Sequence, residues 1–189
     1  MNTLDAVNQM LISMGQSPVT FYIDNLHPDV SSAVAILNRT STKIQSRGYW
    51  FNTDKNLKLK HNIDGEVIIP GETLSINPAD QHSSYVQRGK KLYDTENNTF
   101  EIGKDVVVNK ITNISFENLP EVAKNYIVAL ASYALIRDKI GDNIKMQEFK
   151  QEAELFRREL NTDDIRFSGT HLANNPSVTR MLSKVRPAR

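Results

Sequence analysis

The sequence predicts an α+β protein: a four-helix bundle with an antiparallel β insertion between helices 2 and 3 and an extended C-terminal tail. Three observations predict it. Apolar residues recur at steps of three and four within residues 1–48 and 117–161, the spacing of one helical face. Across 49–116 that period vanishes, and short β-prone runs alternate with turn pairs. Residues 162–189 form a basic tail with little apolar content of its own.

The first helix is capped by Asn2 or Thr3, and Leu4, Val7, Leu11 and Met14 mark its buried face. Gly15 terminates it and Pro18 follows. Val19 to Leu26 reads as a connector. His27-Pro28-Asp29 opens the second helix. Its stripe is Val30, Ala33, Val34, Leu37 and Ile44, with Asn38, Arg39, Thr42 and Lys43 facing elsewhere. Gly48 ends that helix, and Arg47 in the last turn suits the negative end of its dipole.

Between Tyr49 and Phe116 the turn signals are Asp64-Gly65, Pro70-Gly71, Asn77-Pro78 and Asn97-Asn98. They separate candidate strands at 57–59, 66–69, 73–76, 85–87, 91–93, 99–102 and 105–115, the last being two strands or one long bent one. The loops 77–84 and 94–98 are expected to project. Helix returns at Pro120, read as the first helical position. Tyr126 to Ile136 carries no charge, which predicts a helix buried on most sides. Gly141 stops it and Asp142 caps the fourth helix, whose stripe is Met146, Phe149, Ala153, Phe156 and Leu160. Glu154 and Arg158 are spaced as an i,i+4 pair. Beyond Asn161, residues 167–171 and 174–177 read as extended or loop chain, and 178–185 as a short helix.

Composition narrows the function. Hydrophobic residues are 39% and charged residues 24% of 189, which suits a packed core rather than a disordered chain. Cysteine is absent, which excludes disulfides, thiolate metal sites and cysteine nucleophiles. The start lacks the basic and long apolar regions of a secretion signal, and no run is long enough to span a membrane, so a chain made in a cytoplasm is expected. Five of the 23 basic residues (Arg166, Arg180, Lys184, Arg186 and Arg189) fall from Ile165 onward, where no acidic residue occurs. The preceding part holds 18 basic against 22 acidic residues, a net of −4. The tail is thus a separate electrostatic segment, either a solvated terminus or a surface for phosphates or an acidic protein.

The residues offer little chemistry. His27, His61, His82 and His171 are scattered, without the i,i+4 spacing of a helical zinc site. Arg88-Gly89-Lys90-Lys91 lacks the upstream glycine of a phosphate loop and reads as a hairpin turn. Ser83-Ser84 lacks the glycines of a nucleophile elbow. Glu66, Glu72, Glu96 and Glu101 lie in the β region, and a hydrolase acting on host polysaccharide or peptidoglycan needs two carboxylates at a set separation. No cofactor motif and no nucleic-acid-reading motif appears. Tyr49-Trp50-Phe51 follows a helix terminator. It reads as packing at a helix-to-strand junction, as an anchor between subunits, or both.

Three stretches resemble the tail tubular protein A family, the adaptor proteins of short-tailed phages. The first is Leu4 to Val19, similar to the family's N-terminal helix, glycine break and Pro-Val. The second is Ile36-Leu37-Asn38 leading to Gln45-Ser46-Arg47-Gly48-Tyr49-Trp50-Phe51-Asn52. It resembles a helix ending in Gln-Ser-Arg-Gly, then an aromatic and Phe-Asn. The third is Leu119-Pro120-Glu121 opening a helix that contains Tyr126-Ile127-Val128. The resemblance implies a virion protein that forms a twelve-membered ring between the portal and a nozzle built from tail tubular protein B. The helical part would face the portal, the β part the nozzle, and DNA would leave through the shared channel with only transient, non-specific contact. It implies no catalytic residue, although some relatives are credited with degrading sugars or cell wall. It makes Arg166, Arg180, Lys184, Arg186 and Arg189 candidates for portal docking or the DNA channel, and Arg47, Gly48, Tyr49, Trp50 and Phe51 the helix-to-β junction.

Overall fold

A computed structural model describes residues 1–21, 27–80 and 83–173. Helix α1 spans Thr3–Ser13 and α2 spans Pro28–Gln45. Strands β1 (Thr53–Leu59), β2 (Thr73–Pro78), β3 (Tyr85–Arg88), β4 (Lys91–Asp94) and β5 (Val106–Thr112) follow. A 3-10 turn at Phe116–Asn118 leads into α3 (Glu121–Lys139) and α4 (Asn143–Ala173).

The helix ends follow local chemistry. Asn2 accepts from the Asp5 backbone while the Asp5 carboxylate accepts from the Asn2 backbone, a reciprocal capping box. His27 caps α2 through its Nδ1, and Pro28 occupies the first turn, where its missing N–H costs nothing. Pro120 stands one place earlier than expected. It is the cap residue of α3, with ψ 145°, rather than the first helical residue. Asp142 Oδ1 accepts from the backbones of Ile144 and Lys145 and so starts α4.

Two hydrophobic cores result. The first joins Val7, Met10 and Leu11 of α1, Ala33, Leu37 and Ile44 of α2, Ile127, Ala131 and Leu135 of α3, and Ala153 and Leu160 of α4. Helix α3 touches the other three helices, which is why its apolar residues surround it rather than form a stripe. The second core lies among the strands and holds Leu59, Val67, Ile69, Ile76, Leu92, Val106 and Val108.

The strands form two antiparallel sheets. β5 is central in the order β1-β5-β2, and β3 pairs with β4. Residues 105–115 therefore give one strand, β5. The expected strands at 66–69 and 99–102 make isolated bridges instead, Glu66 to Glu101, Ile68 to Lys91 and Thr99 to Asp94. Each is a single aligned pair, too short to make a ladder.

Three other expectations need correction. α2 stops at Gln45 with Ser46 as its cap, so Arg47 lies past the helix and Lys43 is the cation in the last turn. Glu154 pairs with Arg157 at i+3, 2.7 Å away, rather than with Arg158. Residues 167–171 are not extended: α4 continues to Ala173, through Gly169, while the expected loop at 174–177 lies outside the described residues. A mid-helix glycine costs about 1 kcal/mol. Against that stand the Asp163–Arg166 ion pair and anchoring by Asp164 and Phe167 described below. The expected short helix at 178–185 lies outside the described residues.

Candidate assembly surfaces

The junction is built on two buried amides. Gln45, at the last position of α2, is fully buried and Asn52 nearly so. Burying an amide without partners costs on the order of 1–3 kcal/mol per group, so both need complete hydrogen bonding. Gln45 Nε2 donates to Ser41 Oγ and to the Ile114 carbonyl, while its Oε1 accepts from the Ile114 N–H at 2.7 Å. Asn52 Oδ1 accepts from the Tyr49 N–H, and its Nδ2 donates to the carbonyls of Gln45 and Thr112. The Asn52 carbonyl in turn accepts from the Thr112 N–H. The end of α2, the entry to β1 and the exit from β5 are thus tied by two side chains.

Gly48 makes the turn possible. Its φ of +74° is a left-handed conformation, and a Cβ there would stand 2.7 Å from Ile111 Cδ1. The backbone favours glycine, and any larger residue would also have to displace the Ile111 side chain.

The three aromatics then separate in role. Tyr49 is buried in the helical core, and burial pushes its hydroxyl pKa up. Its ring stacks on Phe51 at 5.6 Å, and Phe51 meets Trp50 edge-on at 5.1 Å. Trp50 turns to α4. Its ring stacks on Phe167 at 5.1 Å and 7°, and its backbone N–H donates to Asp164 Oδ1 at 3.0 Å. One residue of the junction thereby clasps the far end of α4. Arg47 is exposed beside this cluster.

Of the basic tail candidates, Arg166 lies on α4, exposed and bonded to Asp163 at 3.1 Å. Arg180, Lys184, Arg186 and Arg189 lie outside the described residues. Ile165 is 71% exposed and Phe167 50%, so this part of α4 offers apolar as well as charged groups.

Of the four β-region carboxylates Glu66, Glu72, Glu96 and Glu101, the fold brings two side by side. Glu66 and Glu101 are direct cross-strand neighbours. Lys91 bonds Glu66 at 2.7 Å, and that bond holds the Glu66 carboxyl below its usual range. A general acid needs the opposite shift. Glu72 and Glu96 are exposed on separate turns, Glu72 with φ +61°. Asp94 is a structural carboxylate: bonds from Ser84 Oγ, the Asn97 amide and the backbones of Glu96 and Asn97 bring its pKa down to about 2. His61 contacts Asp105 at 2.9 Å and Lys58 joins from the other side, an exposed surface network. Among the described residues no group of three or more His, Asp or Glu side chains could hold a metal ion, and no helix is long and apolar enough to cross a membrane.

Sequence reasoning marked the segment 45–52 but missed what Gln45 and Asn52 do. It also missed the clasp by Asp164 and Phe167. The one available signal was Phe167 itself, an isolated ring in a polar stretch.

Comparison with known proteins places the chain among the structural proteins of phage tails. A family model described as "Tail tubular protein" matches residues 4–169. Tail tubular protein A of Klebsiella phage KP34 is 27% identical over 192 aligned residues, covering all of this chain and 98% of that protein. The chain belongs to the tail tubular protein family.

Proposed function

We propose that the chain is a subunit of the adaptor ring joining the portal to the tail nozzle, assembled as a dodecamer around the channel through which DNA leaves. The observation that carries this reading is the family match across 4–169, which takes in both cores and the junction between them. An adaptor needs two separately shaped ends held in fixed relation. The Gln45–Asn52 network supports such rigidity, because it bonds α2 to both ends of the β region.

In this reading the helical core serves the ring and the portal side. Residues 162–189 reach along the portal, with α4 and Arg166 starting that arm and Arg180, Lys184, Arg186 and Arg189 continuing it. The β core meets the nozzle protein, tail tubular protein B. Repeated around a ring, the basic tails form a positive collar that contacts DNA by charge alone. No catalytic step is required.

The test is to mix the purified chain with portal rings and image the complexes by electron microscopy. A chain ending at Phe167 keeps the Trp50 clasp and lacks most of the basic arm. It should stay folded and lose portal binding. Full binding by that variant would remove the arm from the docking role, and no ring on the portal with the intact chain would overturn the adaptor reading.

A further inference from the structure

The outward face of β3 and β4 has a composition that internal packing does not explain. In an antiparallel pair, opposite residues share a face. Val86 stands opposite Tyr93, and Arg88 opposite Lys91. The other face carries Leu92, fully buried in the β core. Ile68 bridges to Lys91 and extends the outward face by one segment. Phe100 meets the Tyr93 ring edge-on at 4.9 Å. Ile68 is 48% exposed, Val86 41% and Phe100 37%.

Arg88 sits on this surface with its guanidinium 3.6 Å from the centre of the Tyr93 ring. Stacking uses the guanidinium plane and leaves its in-plane N–H groups available, already oriented. Lys91 is neutralised by Glu66, whereas no described carboxylate pairs with Arg88. The face therefore combines apolar side chains, packed rings and one preorganised guanidinium that has no salt-bridge partner among the described residues. Aromatic residues and arginine in that arrangement are typical of the energetic centre of a protein interface.

We infer that this face is the docking surface for the nozzle-side protein, and that the partner presents a carboxylate to Arg88 together with apolar side chains over Val86, Ile68 and Phe100. This rests on the adaptor reading above. The chemistry favours a protein over the alternatives. A nucleic acid backbone needs a run of cations, and here Glu66 and Glu101 share the face. A polysaccharide needs a bare ring to stack on, and Arg88 covers Tyr93.

The experiment titrates the full chain against the purified nozzle protein of the same phage and, separately, against portal rings. Arg88→Glu and Val86→Asp should each weaken nozzle binding by about tenfold or more, the loss expected at an interface centre. Arg88→Lys should fall between, since it keeps the charge without the fork. Portal binding and thermal unfolding should match the parent chain. Nozzle binding unchanged in both variants would overturn the inference and leave the adaptor reading standing. A parent chain that does not bind nozzle protein at all would overturn both. Loss of binding to duplex DNA or polysaccharide, with nozzle binding intact, would also overturn it.

Discussion

Asn52 Nδ2 donates to the backbone carbonyl of Gln45, seven positions earlier, at 2.9 Å, closing a loop between the last turn of α2 and the start of β1. The same amide reaches Thr112, 60 positions further along the chain, at 3.0 Å. Replacing Asn52 with Ala takes this partner from the Thr112 carbonyl and the Tyr49 N–H, while the Gln45 carbonyl keeps the Gly48 N–H. The expected loss is about 2–3 kcal/mol in urea unfolding, since each orphaned group costs on the order of 1 kcal/mol or more. A loss below about 0.5 kcal/mol would mean water satisfies these groups and the network is not a tie.

Gly48→Ala should destabilise for two separable reasons. The left-handed backbone costs about 1 kcal/mol, and the new Cβ collides with Ile111 Cδ1 at 2.7 Å. Ile111→Val removes that carbon. The double variant should therefore be less destabilised than the sum of the singles, and strict additivity in chemical unfolding would exclude the collision.

Phe167→Ala should free the end of α4 without unfolding the protein. The helical core takes its α4 contribution from Ala153, Phe156 and Leu160, all N-terminal to the clasp. Amide hydrogen exchange should quicken over residues 161–167 and stay unchanged over α3. Equal protection in both forms would show that Trp50 does not hold this segment.

Acid should act on the 94–98 turn through Asp94. Its folded pKa of about 2 lies below the usual 3.8, so the unfolded chain takes up the proton first as pH falls. The stabilisation is complete above about pH 4 and is lost as pH falls towards 2. Asp94→Asn should be less stable than the parent at neutral pH and should show a flatter dependence across that interval in pH-resolved thermal melts. Parallel pH profiles would rule out this role.

Much of the fold could be read in advance because its causes are local. Asn2, the His27-Pro28 pair and Asp142 act on backbone groups within three residues, so a linear reading finds them. The uncharged run from Tyr126 to Ile136 announces a central helix in the same way. Residues 66–69 and 99–102 have strand composition yet make single bridges, because pairing depends on which distant segment lies alongside. The end of α4 failed for a related reason. Its local sequence is polar and contains Gly169, while Asp164 is anchored by Trp50 from 114 positions away. Gln45 and Asn52 were visible as residue types, but their bonds to Ile114 and Thr112 require the returning strand β5.

The same two amides have a consequence for modularity. Because Gln45 grips Ile114 and Asn52 grips Thr112, the β region leaves and rejoins the helices at one doorway. The helical scaffold meets its insert there and nowhere needs to know the insert's length. A different β unit, grafted between Asn52 and Thr112 with those two positions kept, should be accepted by the same helices. A tail could thus be refitted to a new neighbour by exchanging one cassette.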